Sequence, residues 1–294
     1  MRINAYIPIS EPRWLRASLA SYYAVVERIV VVYDERGFGF SGSPINVQGC
    51  LEVLKNVDPD GKLEFLPGRY YDESRDPLGN DTHQRQCALD VAEKDADWVI
   101  QLDSDEVITD ANEFLNCLRE ADEKGFDALD YPARWFHYAL GHFRYLERSR
   151  RPWKVRATYP GPIAVRHGAK LNLARQCDAK AFRVDLQPFS TDPAQLHSAV
   201  HRVVRPDQAI YHYARVRSKA ELGMKTQSSG HAREMEWNAV IERWLWEGRH
   251  PHLAALASAL PRRFSHGDHQ PLRVASAVPP VALQPLVSEA EAIE

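Results

Sequence analysis

Asp97-Trp98-Val99-Ile100-Gln101-Leu102-Asp103-Ser104-Asp105-Glu106 is the stretch on which the fold turns. An almost unbroken apolar run of this kind reads as a strand buried on both faces of a parallel sheet. It stops abruptly at two aspartates spaced two apart. That arrangement places a pair of carboxylates at the edge of the sheet, where α/β proteins bind ligands. Hard oxygen donors there suit Mg²⁺ or Mn²⁺. The plainer reading is an acidic turn leading into a helix capped by Thr109.

The flanks extend the alternation. Toward the N-terminus, a helix from about Thr82 to Lys94, capped by Asp81 or Thr82, precedes the strand. Ile3 to Ile9 reads as a first strand, and Pro12 to Glu27 as a helix with Leu15, Leu19, Tyr22 and Val26 on one face. Arg28 to Tyr33 is a second buried strand, ended by Asp34-Glu35-Arg36-Gly37. Gly68 to Thr82 reads as a loop. Strand and helix in turn give a doubly wound α/β architecture. Past the aspartates, Thr109 to Lys124 reads as a helix, Ala128 to Tyr131 and Ala209 to Tyr213 as strands, and Glu221 to Glu247 as one Trp-rich helix. The tail after Ser276 is rich in proline and then acidic, and is expected to be disordered. No internal repeat is present.

The composition narrows the classes. A chain of 294 residues with 44% hydrophobic and 26% charged residues is long enough to bury a large core. A net charge of −3 gives no general attraction to nucleic acid. Cys50, Cys87, Cys117 and Cys177 lie far apart and form no C-x-x-C pair, as expected of reduced thiols in the cytoplasm. Met1 to Pro8 lacks the apolar segment of a secretory signal. No run of about 18 apolar residues occurs without a charge, so no membrane span is expected.

Arg85-Gln86-Cys87-Ala88-Leu89, then Ala92, then Asp97 through Glu106 resembles the donor-site segment of glycosyltransferase family 2 and its GT-A-fold relatives. The opening strand into Pro8 and the strand ending in Asp34 resemble that family too. Gln86 stands where asparagine is usual, and the turn after Tyr33 keeps only one acid of the usual set. The resemblance covers residues 3 to 110 well, and 210 to 225 more loosely. It implies a GT-A-type (Rossmann-like) mixed sheet flanked by helices, with a C-terminal helical extension. The expected division is a catalytic domain over 1–218 (a nucleotide-sugar half, 1–126, and an acceptor half, 127–218), a helical extension over 219–275, and the tail over 276–294. It implies a nucleoside-diphosphate sugar donor, a hydroxyl acceptor (saccharide, lipid-linked or small molecule), and Mn²⁺ or Mg²⁺. The cation would neutralise charge on the departing diphosphate.

Residue by residue, the resemblance implies that Pro8 and Ile9 line the nucleotide base and that Asp34 accepts hydrogen bonds from base or ribose. Asp103 and Ser104 would meet the nucleotide sugar. Asp103, Asp105 and His212, from Tyr211-His212-Tyr213, would hold the metal. Arg85 would fork onto phosphate oxygens, and Lys219 or Lys225 would face the diphosphate. An inverting transferase also needs a base near the acceptor hydroxyl. Asp130 and Asp185 are the first candidates by position, with Asp178, His197 and His201 behind them.

Other patterns read more plainly. His197-x-x-x-His201 lacks the glutamate of a zinc-protease helix. The run Arg144, Arg148, Arg150, Arg151, Lys154 and Arg156, with Phe143, Tyr145 and Trp153, reads as a solvated or acceptor-facing loop rather than a nucleic-acid patch. Trp237, Trp244 and Trp246 read as core or subunit contact, which leaves a homo-oligomer open. Two other functions compete. One is a catalytically inactive relative that only binds nucleotide or glycan. The other is a sugar nucleotidylyltransferase, which would want a Gly-rich loop after the first strand; Ser10-Glu11-Pro12-Arg13-Trp14 does not supply it.

Overall fold

The computed structural model describes residues 1–151, 154–187, 199–258 and 271–292. The N-terminal half runs β1 (Ile3–Pro8), α1 (Leu15–Tyr22), β2 (Ile29–Asp34), α2 (Val47–Leu54), β3 (Leu63–Gly68), α3 (Pro77–Ala92) and β4 (Trp98–Gln101). A short strand β5 (Glu106–Ile108), helix α4 (Ala111–Glu123) and strand β6 (Ala128–Asp130) follow. Then come β7 (Ala133–Ala139), β8 (Arg144–Arg151), β9 (Lys154–Val155), β10 (Ala164–Arg166), β11 (Leu171–Leu173), β12 (Gln176–Cys177) and β13 (Ala181–Leu186). The remainder is β14 (Arg202–Val204), β15 (Ile210–His212), α5 (Lys219–Ser228), α6 (Trp237–Arg249), α7 (Pro251–Ser258), β16 (Leu272–Ser276) and α8 (Gln284–Glu291).

Eight strands form one mixed sheet in the order β14-β13-β6-β10-β4-β1-β2-β3. Strands β4, β1, β2 and β3 are mutually parallel, and β10 alone runs against its neighbours β4 and β6. Every residue of β1 and β4 is buried. Helices α1, α2 and α4 cover one face through Leu15, Leu19, Cys50, Leu54, Phe114 and Leu118; α3 covers the other through Ala88, Leu89 and Ala92. This is the Rossmann-like mixed sheet flanked by helices that the resemblance implies. A second sheet, ordered β16-β8-β7-β15-β5, stands beside it. The two sheets meet at the turn between β4 and β5, where Asp103 and Asp105 lie.

Several expectations change. Helix α3 begins at Pro77, with Asp76 as cap accepting from the Gly79 amide at 2.5 Å; proline is favoured at the first helical position, and that signal sat inside the presumed loop. Asp110, not Thr109, caps α4 by accepting from Glu113 N. The single helix over 221–247 is two, α5 and α6, separated at the turn through Gly230. The tail over 276–294 is not a disordered segment across its described residues. Its α8 buries Val287 and Ala290 in a cluster with Trp14 and Tyr213, so apolar burial orders it. The basic run becomes strand β8, where buried Glu147 pairs with Arg134 at 2.8 Å and Arg273 at 2.6 Å. Trp153 and the side chains of Arg150 and Arg151 lie outside the described residues, as does His197.

Candidate functional site

A cavity of about 460 Å³ opens where the carboxyl ends of β1 and β4 face β15 and α5. Pro8, Ile9, Phe38 and Ile45 give it an apolar side; Arg85, Asp103, Ser104 and Asp105 line its floor. His212, Lys225 and Thr226 form the facing wall, and Trp135, His137, Arg148, Arg215 and Trp237 line the far end. Six of the residues expected at the donor site, together with His212, therefore meet here. Asp34, Asp130 and Asp185 do not line this cavity.

Sequence logic explains the floor. Helix α3 buries a polar strip of Asn80, Asp81, Gln84 and Arg85 in its first half, at spacings that share one helical face. Arg85 is 5% exposed and donates from Nε to Asp81 at 2.6 Å and from Nη2 to Asp103 at 2.7 Å. Its Nη1 is buried and has no hydrogen-bond partner among the described residues. Burial opposes the charge of Asp103, but Arg85 and Arg175 outweigh it and hold the carboxyl down at about 2.

Asp105 is enclosed differently. It is 2% exposed, and its Oδ2 accepts from Arg217 at 2.8 Å and from Lys225, with His212 Nε2 at 3.4 Å. Burial again works against the charge, and Lys225, His212 and Arg217 hold the carboxyl well below the usual range. Arg217 is fully buried and also clamps Glu11 and donates to the Tyr213 and Ala214 carbonyls. Glu106, the last residue of the quoted stretch, is fully buried and takes both Arg175 nitrogens at 2.5 and 2.7 Å. His212 sits opposite Glu106 in the β5–β15 register, which sets its ring beside Asp105.

The expected Mn²⁺ or Mg²⁺ centre finds a poor donor set. A hard divalent cation wants several oxygens converging on one point. Here each aspartate already meets a fixed cation, and His212 turns Nε2 onto Asp105 itself. Among the described residues no group of three or more His, Cys, Asp or Glu side chains is arranged to hold a metal. The residues present do not fit the ion.

The other candidates have local roles. Asp34 accepts from Arg36 N, the Arg36 guanidinium and the Tyr70 and Tyr71 amides. It shapes the loop that carries Phe38 to the cavity. Burial raises the Asp130 carboxyl, partly offset by Arg183 and Arg175. Asp185 is fully buried and accepts from the Tyr159 hydroxyl at 3.1 Å. His201 stacks on Phe182 and its Nδ1 accepts from Arg183 N; Asp178 pairs with Asn172 on the β11–β12 hairpin. Lys219 pairs with Glu242 away from the cavity. Trp244 is core, Trp246 is 45% exposed, and Trp237 lines the cavity.

Sequence reasoning missed Arg217, Glu11 and Arg175, for which no local signal exists. It also missed the pair His231–Glu234, 2.8 Å apart on the cavity wall. Ser218-x-x-Glu221 was a usable signal: it forms a capping box that starts α5 and places Lys225 on that helix. Gly39 lets the Phe38 loop touch the end of α5, since a Cβ there would meet Ser228 Cβ at 2.6 Å.

No protein-family model matches the chain, and neither does any curated protein. Among solved structures, 4-diphosphocytidyl-2C-methyl-D-erythritol synthase from Anaerococcus prevotii aligns at 12% identity and TM-score 0.33, over 56% of this chain and 70% of that one. Mannose-1-phosphate geranyltransferase from Thermus thermophilus aligns at 14% and 0.29, over 57% and 51%. Mannose-6-phosphate isomerase from Helicobacter pylori aligns at 15% and 0.28, over 54% and 60%. The chain thus spans little more than half the length of the last two. Likenesses this distant carry no argument about chemistry.

Proposed function

We propose that this chain is a nucleotide-sugar-dependent glycosyltransferase that moves a sugar from a nucleoside diphosphate to a hydroxyl acceptor. The observation that carries the reading is the cavity floor. An apolar slot of Pro8, Ile9, Phe38 and Ile45 adjoins Arg85, Asp103, Ser104 and Lys225 at the carboxyl edge of a parallel sheet. A nucleobase suits the slot, and a diphosphate suits the cations beside it. The far end, with Trp135, Trp237, Arg148 and Arg215, is the acceptor's place; aromatic faces and polar tips there suit a saccharide. Four free cysteines fit a reducing compartment such as the cytoplasm, and no helix among the described residues is long and apolar enough to cross a membrane.

The reaction forms a bond from the acceptor oxygen to the anomeric carbon as the bond to the diphosphate oxygen breaks. For inversion, the acceptor proton needs a base. Asp130 and Asp185, the candidates by chain order, do not line the cavity, whereas His231 and Glu234 do and are the better-placed bases.

The test is a thermal-shift screen of nucleoside diphosphates, followed by product analysis with the matching sugar nucleotide and a panel of saccharides. A ligand that binds only the native state raises the melting temperature by mass action. The expected result is one preferred base and release of nucleoside diphosphate on acceptor addition. Pyrophosphate release from a nucleoside triphosphate and a sugar phosphate would instead mean nucleotidylyl transfer. Tight binding with no turnover would mean a binding protein.

A further inference from the structure

We infer that the chain carries its own cations in place of the divalent metal: Lys225, with Arg85, neutralises the donor diphosphate, and donor binding needs no metal ion. This rests on the donor-site reading above and specifies how that site works.

The argument starts from charge. Each aspartate of the Asp103-Ser104-Asp105 turn holds a different basic side chain at the place where one metal would join them. Asp103 holds Arg85 through Nη2; Asp105 holds Lys225 through Oδ2. A doubly charged ion between the two carboxylates would sit against the ammonium and the guanidinium of Arg217 as well, and like charges repel most strongly where water is excluded. A diphosphate is instead attracted by the ammonium at the cavity surface.

The three basic side chains around Asp105 are not equivalent. Arg217 is fully buried and divided among Glu11, Asp105 and two backbone carbonyls, so its donors are committed. His212 is 7% exposed and packs its ring edge against Trp135. The Lys225 side chain is 30% exposed and lines the cavity while its ammonium rests on Asp105. An ammonium has three donors, so it can keep the carboxylate and still turn toward phosphate oxygen. Arg85 lines the cavity and adds the second fixed charge. Its planar fork, oriented by Asp81 and Asp103, is pre-organised for an anion. In transfer, these two groups would stabilise the negative charge that develops on the leaving diphosphate, which is the role a Lewis-acid cation otherwise fills.

Titration calorimetry of the full chain with uridine, guanosine, cytidine and adenosine diphosphates tests this. Each is run in excess EDTA and again with 1:1 Mn²⁺ or Mg²⁺. The expected result is one nucleotide whose Kd agrees within about twofold between EDTA and metal. Lys225→Met is expected to weaken it on the order of tenfold or more, Lys225→Arg to restore most of the loss, and Lys219→Ala to leave it unchanged. The wild-type comparison stands even if Lys225→Met fails to fold. Binding that appears only with metal, or tightens tenfold with it, overturns the fixed-cation inference and leaves the donor site intact. Absence of binding by all four nucleotides, with and without metal, overturns the donor-site reading and this inference with it.

Discussion

Asp103 and Asp105 stand two residues apart and belong to different regions of the molecule. Asp103 faces the wall built by α3; its side chain is 29% exposed and it shares one buried arginine with Asp81. Asp105 faces the wall built by β15 and α5; its side chain is 3% exposed and it meets the Arg217 and Lys225 cations and the His212 ring, all beyond residue 210. The first aspartate keeps access to the cavity. The second joins the C-terminal segment to the N-terminal half, across 112 positions to Arg217 and 120 to Lys225. A motif that looks symmetric in sequence is therefore split between a cavity-facing position and an architectural one.

The sharpest way to break this division is Arg217→Ala. Removing that guanidinium leaves Glu11 short of its partner, takes one of two fixed positive charges from Asp105, and strips donors from the Tyr213 and Ala214 carbonyls. Breaking a buried ion pair from one side costs about 3–5 kcal/mol, because the abandoned charge stays buried. Urea denaturation should show a loss in that range, with the aromatic cluster of Trp14 and Tyr213 loosened, since the two rings stack at 3.8 Å directly beside it. A loss below about 1 kcal/mol, the range of an exposed pair, would mean that Asp105 does not tie the two halves together.

The paired substitutions Asp105→Asn and Asp103→Asn sharpen the contrast. Asp105→Asn leaves the Lys225 and Arg217 charges around a neutral amide, so its cost should approach about 3 kcal/mol. Asp103→Asn leaves Arg85 with Asp81 and sits in a partly wet position, so about 1 kcal/mol is expected. Ligand effects should be divided unequally as well. Nucleotide affinity, measured by calorimetry at a temperature where both variants are folded, should change at Asp103 without a matching loss of stability. Equal stability losses at the two positions would erase the distinction.

Legibility along the chain followed the same split. Strands β1, β2 and β4 are buried on both faces and therefore spell themselves as continuous apolar runs, which is why the sheet and the position of the aspartates could be read directly. The second sheet buries charge inside its strands. Glu147 is fully buried on β8 between Arg134 and Arg273, and a hydropathy pattern takes such a strand for a basic loop. Around Asp105, the resemblance names His212 and Lys225, but Glu11 and Arg217 have no local signature, because they come together with Asp105 only once the fold closes. The α8 tail failed for a related reason: its prolines and acids suggest disorder, while Leu283, Val287 and Ala290 find their apolar partners at the far end of the chain, at Trp14.

That last helix supplies the smallest and most pH-selective contrast. Burial raises the Glu291 carboxyl to about 7 from an ordinary value of 4.5, and its Oε1 has no hydrogen-bond partner among the described residues. A carboxyl whose folded value lies above its unfolded one keeps a proton that the unfolded chain has already lost. Its contribution to stability is thus full below about 4.5 and disappears as pH rises through 7. Asp103 has the opposite sign: with its carboxyl held down at about 2, its contribution is full above 3.8 and goes as pH falls toward 2. Melting temperatures followed from mildly acidic to mildly alkaline pH should fall modestly at the alkaline end for the wild-type chain, and Glu291→Gln should flatten that limb by keeping a neutral side chain at every pH. Parallel curves for the two proteins would show that the carboxyl is solvated and that α8 is not sensitive to its charge. A flattened limb with the acid side untouched would place the alkaline weakness in the C-terminal helix and leave the cavity floor around Asp103 stable across that range.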